Sequence, residues 1–481
     1  MIKIVENKSQ NIEQSGISRR NFIKIAAGTA AALAVSSCSH TDRGDIERPR
    51  NQIRPSDGKL TYKTNPINGD RISILGYGCM HLPTSGKSSG HNQSAEIDQM
   101  VLNRSVDYAI TNGINYFNTA PVYCNGKSEA AIGKALSKHP RESYFIATKC
   151  SNFDPDTWPI QKSKEMFYKS LEYLCTDYID YYLLHSPFRG GTENFNGRFI
   201  DNGMLDFLKE QRAKGIIRNL GFSFESDPAE LEQLMKMHDE GQVKWDFAQI
   251  SLNFIDWHHA ATGNPQAANG HSVYNELQKR GIPINAFDPL SGGALGSASR
   301  PVTRKMLQRR PNDSISSWAI RFVGSLPGIL TIVSGMTYME HLKDNLYTCS
   351  PLEPLSKDEA DFLEKIALEI ATHPKVQCIR CGQCMPCPYG VDIPAIFEHY
   401  NLCLDSDSVP VDSMDPDYNR LRREFLIGHD RSVPKLRQAS HCINCGKCLD
   451  KCPKHIKIPT QLARIGHYIE YLRSHNKATH L

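Results

Sequence analysis

The sequence predicts an α/β fold: a closed (β/α)8 barrel over residues 60–350, a connecting helix at 351–375, and a second, mainly α, cysteine-rich domain at 376–481. Short apolar runs alternate with helix-period segments eight times over about 280 residues, which suits a closed parallel barrel better than an open doubly wound sheet. No GxGxxG follows the first apolar run, which weakens the open-sheet reading further. Eight of the 15 cysteines fall in two short tracts, Cys378 to Cys387 and Cys442 to Cys452. A long chain with that spacing is not a disulfide scaffold.

The chain starts with an address. Ser18-Arg19-Arg20-Asn21-Phe22-Ile23-Lys24 precedes a small and apolar stretch of eleven residues, Ile25 to Val35. Eleven helical residues are too few for a bilayer needing about twenty, so residues 1–37 read as a signal peptide. The paired arginines resemble the twin-arginine (Tat) class, whose substrates fold and load cofactors before crossing by the Tat translocase. Val35-Ser36-Ser37-Cys38 resembles a lipobox. Two readings of Cys38 stand side by side, a lipidated first residue and an incidental cysteine beside a plain cleavage site. Residues 38–59 are polar and charged and read as a tether.

Charge adds an exclusion. Of the formal +4, residues 1–37 carry +3 (Lys3, Lys8, Arg19, Arg20 and Lys24 against Glu6 and Glu13), leaving +1 for the rest. Nothing in that remainder invites nucleic acid. The hydrophobic share of 40% and charged share of 22% are those of a soluble, folded protein.

The folded part opens with Asn68-Gly69 between Leu60-Thr61-Tyr62 and Ile72-Ser73-Ile74, which predicts a hairpin with a type I′ turn. Barrel strands are expected near 72–76, 115–118, 144–148, 179–184, 218–223, 247–250, 283–287 and 329–333. Helices are expected near 97–111, 128–138, 161–175, 202–214, 227–239, 272–280, 313–323 and 337–347. In such a barrel the C-terminal strand ends share one mouth, so polar residues there are site candidates. Asn118 ends the second strand with Tyr123 in the loop beyond it, Lys149 ends the third and His185 the fourth.

NGINYFNTAPVYCNGKSEAAIGKAL, FIATKC, IDYYLLHSP, GIIRNLGFSF and FDPLSGGAL resemble the aldo-keto reductase family, collinearly from about Leu60 to Asn345. The resemblance implies a TIM barrel of aldo-keto reductase type. It makes Tyr123 the general acid for a substrate carbonyl, its pKa lowered from about 10 by Lys149 and His185, with hydride from a nicotinamide ring. It places Gln249 and Asn253 at the carboxamide region, Phe287 on the nicotinamide face, and Pro289, Leu290, Ser334, Gly335 and Asn345 along the pyrophosphate and adenosine ends. Two departures matter. The family has an aspartate where this chain has Asn118, which removes a negative charge beside Lys149. After the eighth strand, where NADP-preferring members place basic residues, the chain reads Ser334-Gly335-Met336-Thr337-Tyr338-Met339-Glu340-His341, with Lys343 just beyond. NAD, or a lapsed nucleotide site, therefore stays open. The pocket loops are expected at 190–199 and 256–270, with Trp257, His258 and His259 lining the pocket or packing.

Cys378-x-x-Cys381-x-x-Cys384-x-x-Cys387-Pro388 and Cys442-x-x-Cys445-x-x-Cys448-x-x-x-Cys452-Pro453 have the spacing of bacterial-type ferredoxins, so two [4Fe-4S] clusters are expected. In two-cluster modules the fourth cysteine of each tract serves the other cluster. That pairs Cys378, Cys381 and Cys384 with Cys452, and Cys442, Cys445 and Cys448 with Cys387. Zinc also takes four cysteines, but in two spaced pairs and without the terminal Cys-Pro. Between the tracts, Ile393 to Leu402 and Tyr418 to Ile427 read as helices of an insertion, and Asp405 to Asp417 as a surface loop.

The leading function is an exported oxidoreductase, periplasmic or anchored as a lipoprotein. It would act on a small carbonyl or alcohol compound with NAD(P)(H), while the clusters serve a one-electron donor or acceptor protein or a quinone-linked partner. No free NAD(P)H pool is expected outside the cytoplasm, and the clusters offer another electron route. Coupling hydride chemistry to one-electron clusters needs an intermediary, and no flavin motif is present. An electron-transfer or binding subunit with a degenerate barrel is the alternative, and a cytoplasmic reductase is the third reading.

Overall fold

A computed structural model describes residues 59–85, 96–224, 228–258, 270–290, 295, 298–372, 375–378, 380, 382–410, 416–449, 451–452 and 456–475. The signal region, the tether with Cys38, Cys381 and His259 lie outside the described residues.

Two short strands, β1 (Tyr62–Thr64) and β2 (Arg71–Ser73), pair antiparallel, Tyr62 facing Ser73. The eight barrel strands follow: β3 (Leu75–Gly78), β4 (Tyr116–Asn118), β5 (Phe145–Cys150), β6 (Ile179–Leu184), β7 (Ile217–Phe224), β8 (Phe247–Ser251), β9 (Ile284–Phe287) and β10 (Ile329–Gly335). They close in that order, with β10 on β3. Covered by helices outside and filled by side chains inside, such strands are mostly apolar, and all six residues of β6 are buried, Asp180 among them. Inside the barrel, Tyr181 meets Tyr116 and Phe247 edge to face, at centroid distances of 5.4 and 5.0 Å. The hairpin covers the end opposite the mouth: Tyr181 Oη donates to Asp70 Oδ2 (2.6 Å) and accepts from Asn65 Nδ2 (3.3 Å).

The sequence expectations hold for the eight-fold alternation and need correction in detail. The expected first strand, 72–76, straddles two elements: Ile72 and Ser73 belong to the hairpin, and the barrel begins at Leu75. The turn is not type I′, which needs positive φ at both central residues. Only Gly69 has it (81°), and Asn65 N and Asp70 O close a longer loop at 2.8 Å. The expected helix at 313–323 runs Ile315–Ser325, capped by Ser314 Oγ, which accepts from Ser317 N at 3.0 Å.

A helix not expected from sequence, Arg300–Arg309, follows β9. Its Val302 and Met306 join Trp318, Leu363 and Ile366 in an apolar cluster that fastens the connecting helix, Lys357–Thr372, to the barrel. Arg310 and the buried Arg321 both reach Glu359 of that helix, at 2.5 and 3.5 Å. The cysteine-rich domain has its own core around Tyr400, Phe425 and Leu462, built from Ile393–Asp405, Tyr418–Ser432 and a third, unexpected helix, Ile458–Ser474. Helix Ile393–Asp405 also lies against Arg300–Arg309. Among the described residues no helix is long and apolar enough to cross a membrane.

Candidate active site and cysteine-lined cavity

The structure brings the four predicted mouth residues together. Lys149, near the end of β5, is 1% exposed, and its ammonium donates to Tyr123 Oη (2.9 Å), Asn118 Oδ1 (2.9 Å) and Thr119 O (2.7 Å). The ammonium is also 4.3 Å from the Tyr123 ring centroid. Tyr123 starts a one-turn helix whose next two residues, Cys124 and Asn125, both have positive φ, 51° and 54°. Two non-glycine residues in succession there are a costly reversal, and it leaves Tyr123 at the mouth. The His185 ring stands edge-on to Tyr123, with centroids 5.8 Å apart, and its Nδ1 is 2.6 Å from Ser151 Oγ.

Electrostatics separates these groups. Burial first, then the cations Lys149, Arg198 and Arg189, push the His185 pKa well below the usual imidazole value, so the ring is neutral near pH 7. Glu129, on the helix outside β5, accepts from Thr148 Oγ1 at 2.6 Å, and burial raises its pKa. Asn118 uses both amide atoms: besides accepting from Lys149, its Nδ2 donates to Gln249 Oε1 at 2.7 Å.

The residues assigned to a nucleotide fall at or just beyond the C-terminal ends of β8, β9 and β10, with Asn345 in the helix Met339–Thr348 that follows β10. Gln249 is buried beside Asn118. Phe287 is half-buried, and a side chain added at Gly335 would meet open space. Asn345 Nδ2 donates to Ser334 Oγ at 3.1 Å. Asn253 is committed to its own loop, accepting from Ile255 N (3.1 Å) and Asp256 N (2.9 Å) and donating to Asp256 Oδ2 (2.8 Å). Pro289 is buried, and Leu290 packs against the cluster around Trp318. Beyond β10, His341 packs against Tyr338, and the Lys343 ammonium is 5.8 Å from the Tyr108 ring. In the expected pocket loops, Trp257 is packing, wedged against His271 and Tyr274, whereas His258 is exposed.

Sequence reasoning missed Ser151, Phe153 and Arg198. Ser151 and Phe153 follow directly on β5, so the strand-end signal that picked out Lys149 covers them too. Arg198 carries no sequence signal, because its partners, three carbonyl oxygens of the loop after β6 and Asn152 Oδ1, form no recognisable pattern.

In the second domain, Cys384, Cys387, Cys442, Cys445 and Cys448 line one cavity of about 210 Å3. Burial raises the Cys448 thiol pKa, with Cys442, Cys445 and Cys387 all near enough to add to it. Three thiols of the second tract and two of the first, Cys384 and Cys387, thus face one space, so the two tracts meet there. They line the space rather than converge: among the described residues no three Cys, His, Asp or Glu side chains could hold a single ion. Five cysteine sulfurs spread around one cavity fit polynuclear iron–sulfur chemistry. Cys378, Cys384, Cys387, Cys442 and Cys448 all pack against the core that contains Cys452.

Three family models match the chain. Residues 16–36 match the twin-arginine translocation pathway signal, residues 74–367 the Aldo/keto reductase family, and residues 377–456 a 4Fe-4S dicluster domain. The chain is therefore an oxidoreductase exported by the Tat route with an iron–sulfur domain. The uncharacterized oxidoreductase YqkF of Bacillus subtilis is 27% identical over 309 residues, covering 61% of this chain and 92% of that protein. The NADH-specific methylglyoxal reductase of Escherichia coli is 23% identical over 317 residues, covering 56% and 88%. The holo form of an aldo-keto reductase from Bacillus halodurans superposes with a TM-score of 0.50 at 22% identity, covering 64% of this chain and 96% of that one, and shows the shared barrel. The match to the family model runs from β3 into the connecting helix and spans Tyr123, Lys149 and His185; the chain belongs to the aldo/keto reductase family.

Proposed function

We propose that this chain is an exported, periplasmic oxidoreductase that interconverts a small carbonyl compound and its alcohol at the barrel mouth. A nicotinamide dinucleotide is the hydride carrier, and two [4Fe-4S] clusters serve a one-electron partner, with a two-electron intermediary needed between the two. The single observation that carries the reading is the Tyr123 hydroxyl 2.9 Å from the Lys149 ammonium, with a neutral imidazole beside it.

Gln249, Phe287, Ser334, Gly335 and Asn345 would hold the dinucleotide, with Asn253 shaping the loop next to it. Bound there, the reduced form supplies a hydride to the carbonyl carbon. The chain does the rest. Tyr123 gives its proton to the carbonyl oxygen, and the Lys149 ammonium stabilises the charge left on the phenol oxygen. If the Ser151 hydroxyl donates to His185 Nδ1, the ring proton sits on Nε2, free to point at the substrate oxygen. The placing of His341 and Lys343 against aromatic rings supports a dinucleotide without a 2′-phosphate. In the cysteine-rich domain, cavity-lining Cys445 is exposed, with Ile443 and Lys447 lining the same cavity, which suits electron exchange with a protein or quinone-linked partner. The lipobox-like Cys38 is the candidate membrane anchor.

Tyr123→Phe, assayed anaerobically with aldehyde and NADH, is expected to lower kcat by roughly 100-fold or more while nucleotide affinity holds. A variant as fast as the parent removes the catalytic reading. Absence of tight nucleotide binding in the parent favours the second reading, an electron-transfer or binding subunit with a degenerate barrel, which the neutral Asn118 supports. Visible iron–sulfur absorbance that does not bleach when NADH is added removes the coupling between barrel and clusters.

A further inference from the structure

Arg198 is 0% exposed, yet every acceptor it meets is neutral. Its guanidinium donates to the carbonyl oxygens of His185 (2.8 Å), Ser186 (2.9 Å) and Pro187 (3.0 Å), and to Asn152 Oδ1 (3.3 Å). Among the described residues no carboxylate pairs with it. Burial lowers its pKa to about 10, which still leaves a cation at neutral pH. A charge buried without a counter-charge is costly unless something outside the chain supplies one.

The same spot gathers more positive charge. The Phe153 ring lies 4.8 Å from Arg198 Cζ, 4.6 Å from Arg189 Cζ and 4.9 Å from the His185 ring. Arg189 is exposed and, among the described residues, forms no ion pair; the aromatic face holds it at the mouth instead. Lys149 is the third cation around the imidazole, and the family's aspartate beside it is here the neutral Asn118. The carboxylate of Glu129 is turned to Thr148.

We propose that the barrel mouth recognises its carbonyl substrate through an anionic group, a carboxylate or a phosphate ester, held by Arg189 over Phe153 and balanced by the buried charge of Arg198. The inference rests on the carbonyl chemistry argued above and adds the class of substrate to it. A guanidinium matches either anion with two parallel hydrogen bonds. Arg198 has spent its donors on the loop, so it contributes field and position, and Arg189 makes the contact.

The test uses the full chain purified anaerobically with its clusters. Three aldehydes of similar shape are compared: 4-carboxybenzaldehyde, 4-formylphenyl phosphate and 4-methylbenzaldehyde. At least one charged aldehyde is expected to exceed the uncharged one tenfold or more in kcat/KM, and which one does so identifies the anion. Arg189→Ala is expected to cut that ratio about tenfold, and Arg189→Lys to restore part of it. Calorimetric binding of benzoate and phenyl phosphate, which cannot react, should weaken about tenfold in Arg189→Ala and weaken with added salt. Equal kcat/KM for all three aldehydes, or a ratio unmoved by Arg189→Ala, overturns the anion site. Failure to reduce any aldehyde sinks the carbonyl reading instead. The calorimetry then decides the anion site alone: Arg189-dependent binding sustains it and no binding overturns it.

Discussion

Asn118 puts the two ends of its amide to different uses, accepting from the Lys149 ammonium and donating to the Gln249 amide oxygen. In Asn118→Asp the donor to Gln249 disappears, and Gln249 must turn its own amide to face the new oxygen. The new charge also opposes loss of the proton from Tyr123. The alkaline limb of kcat/KM for reduction is therefore expected to move up by roughly one pH unit. An identical profile and rate would show that the position has no part in the chemistry. His185 predicts a second feature. Its pKa lies well below the usual value because of burial and three nearby cations, so between pH 6 and 8 the profile should carry no limb from this ring. A limb near 6.5 that vanishes in His185→Gln would contradict that. Tyr123, Lys149, His185 and Asn118 were legible because strand-end position alone brings them to one mouth. The Asn118–Gln249 and Ser151–His185 contacts were not, since no local pattern says which mouth residue meets which.

Among the elements, the barrel strands were readable because burial on both faces leaves mostly apolar runs, and all six residues of β6 are buried even though they include Asp180. The first slipped because the alternation of Ile72-Ser73-Ile74 runs straight into Leu75 with no turn residue between them. Helix Arg300–Arg309 was missed because only Val302 and Met306 mark its buried side within a highly charged segment. Tight contacts between elements were equally invisible. An added Cβ at Gly133 would lie 2.1 Å from Tyr173 O and 2.7 Å from Leu174 Cα, both backbone atoms. Gly133→Ala should thus destabilise the barrel by about 2 kcal/mol or more, against a helix-propensity gain of about 1 kcal/mol. A urea midpoint at or above that of the parent would mean the two helices can separate freely. In the second domain, helices Ile393–Asp405 and Tyr418–Ser432 bring His399 and His429 together, with ring centroids 5.8 Å apart. Burial, then the neighbouring histidine, lowers His399 from 6.5 to about 4, and burial lowers His429 too. As pH falls the unfolded chain takes up protons first, so the stability is complete above about 6.5 and is lost as pH drops towards 4. The loss is worth roughly 3 kcal/mol for His399 at most. Denaturation followed from pH 7 to 4.5 should show a shallower slope in His399→Gln, which keeps the donor to Phe425 O, than in the parent. Parallel slopes would sink the assignment.

At the scale of the whole molecule, the connecting helix and Arg300–Arg309 join the barrel to the cysteine-rich domain, and a Tat signal precedes both. The domain's decisive feature is how its two cysteine tracts interlock. Cys384 and Cys387, the last two of the first tract, line the cavity of Cys442, Cys445 and Cys448, and the ferredoxin spacing assigns Cys387 to the second tract's cluster. If that crossing holds, Cys387→Ser and Cys445→Ser injure the same cluster. Each single variant should then keep about four of about eight irons, with matching acid-labile sulfide, and the double variant should lose no more than either alone. If each tract held a cluster by itself, the two substitutions would strike different clusters and the double variant would lose nearly all its iron. Iron and sulfide analysis of the three anaerobically purified proteins separates these outcomes. Low-temperature electron paramagnetic resonance of the reduced samples adds a check, because the crossing predicts the same residual signal from all three. An additive loss in the double variant would mean that the tracts do not exchange ligands, and with that the interlocked arrangement of this domain would fail.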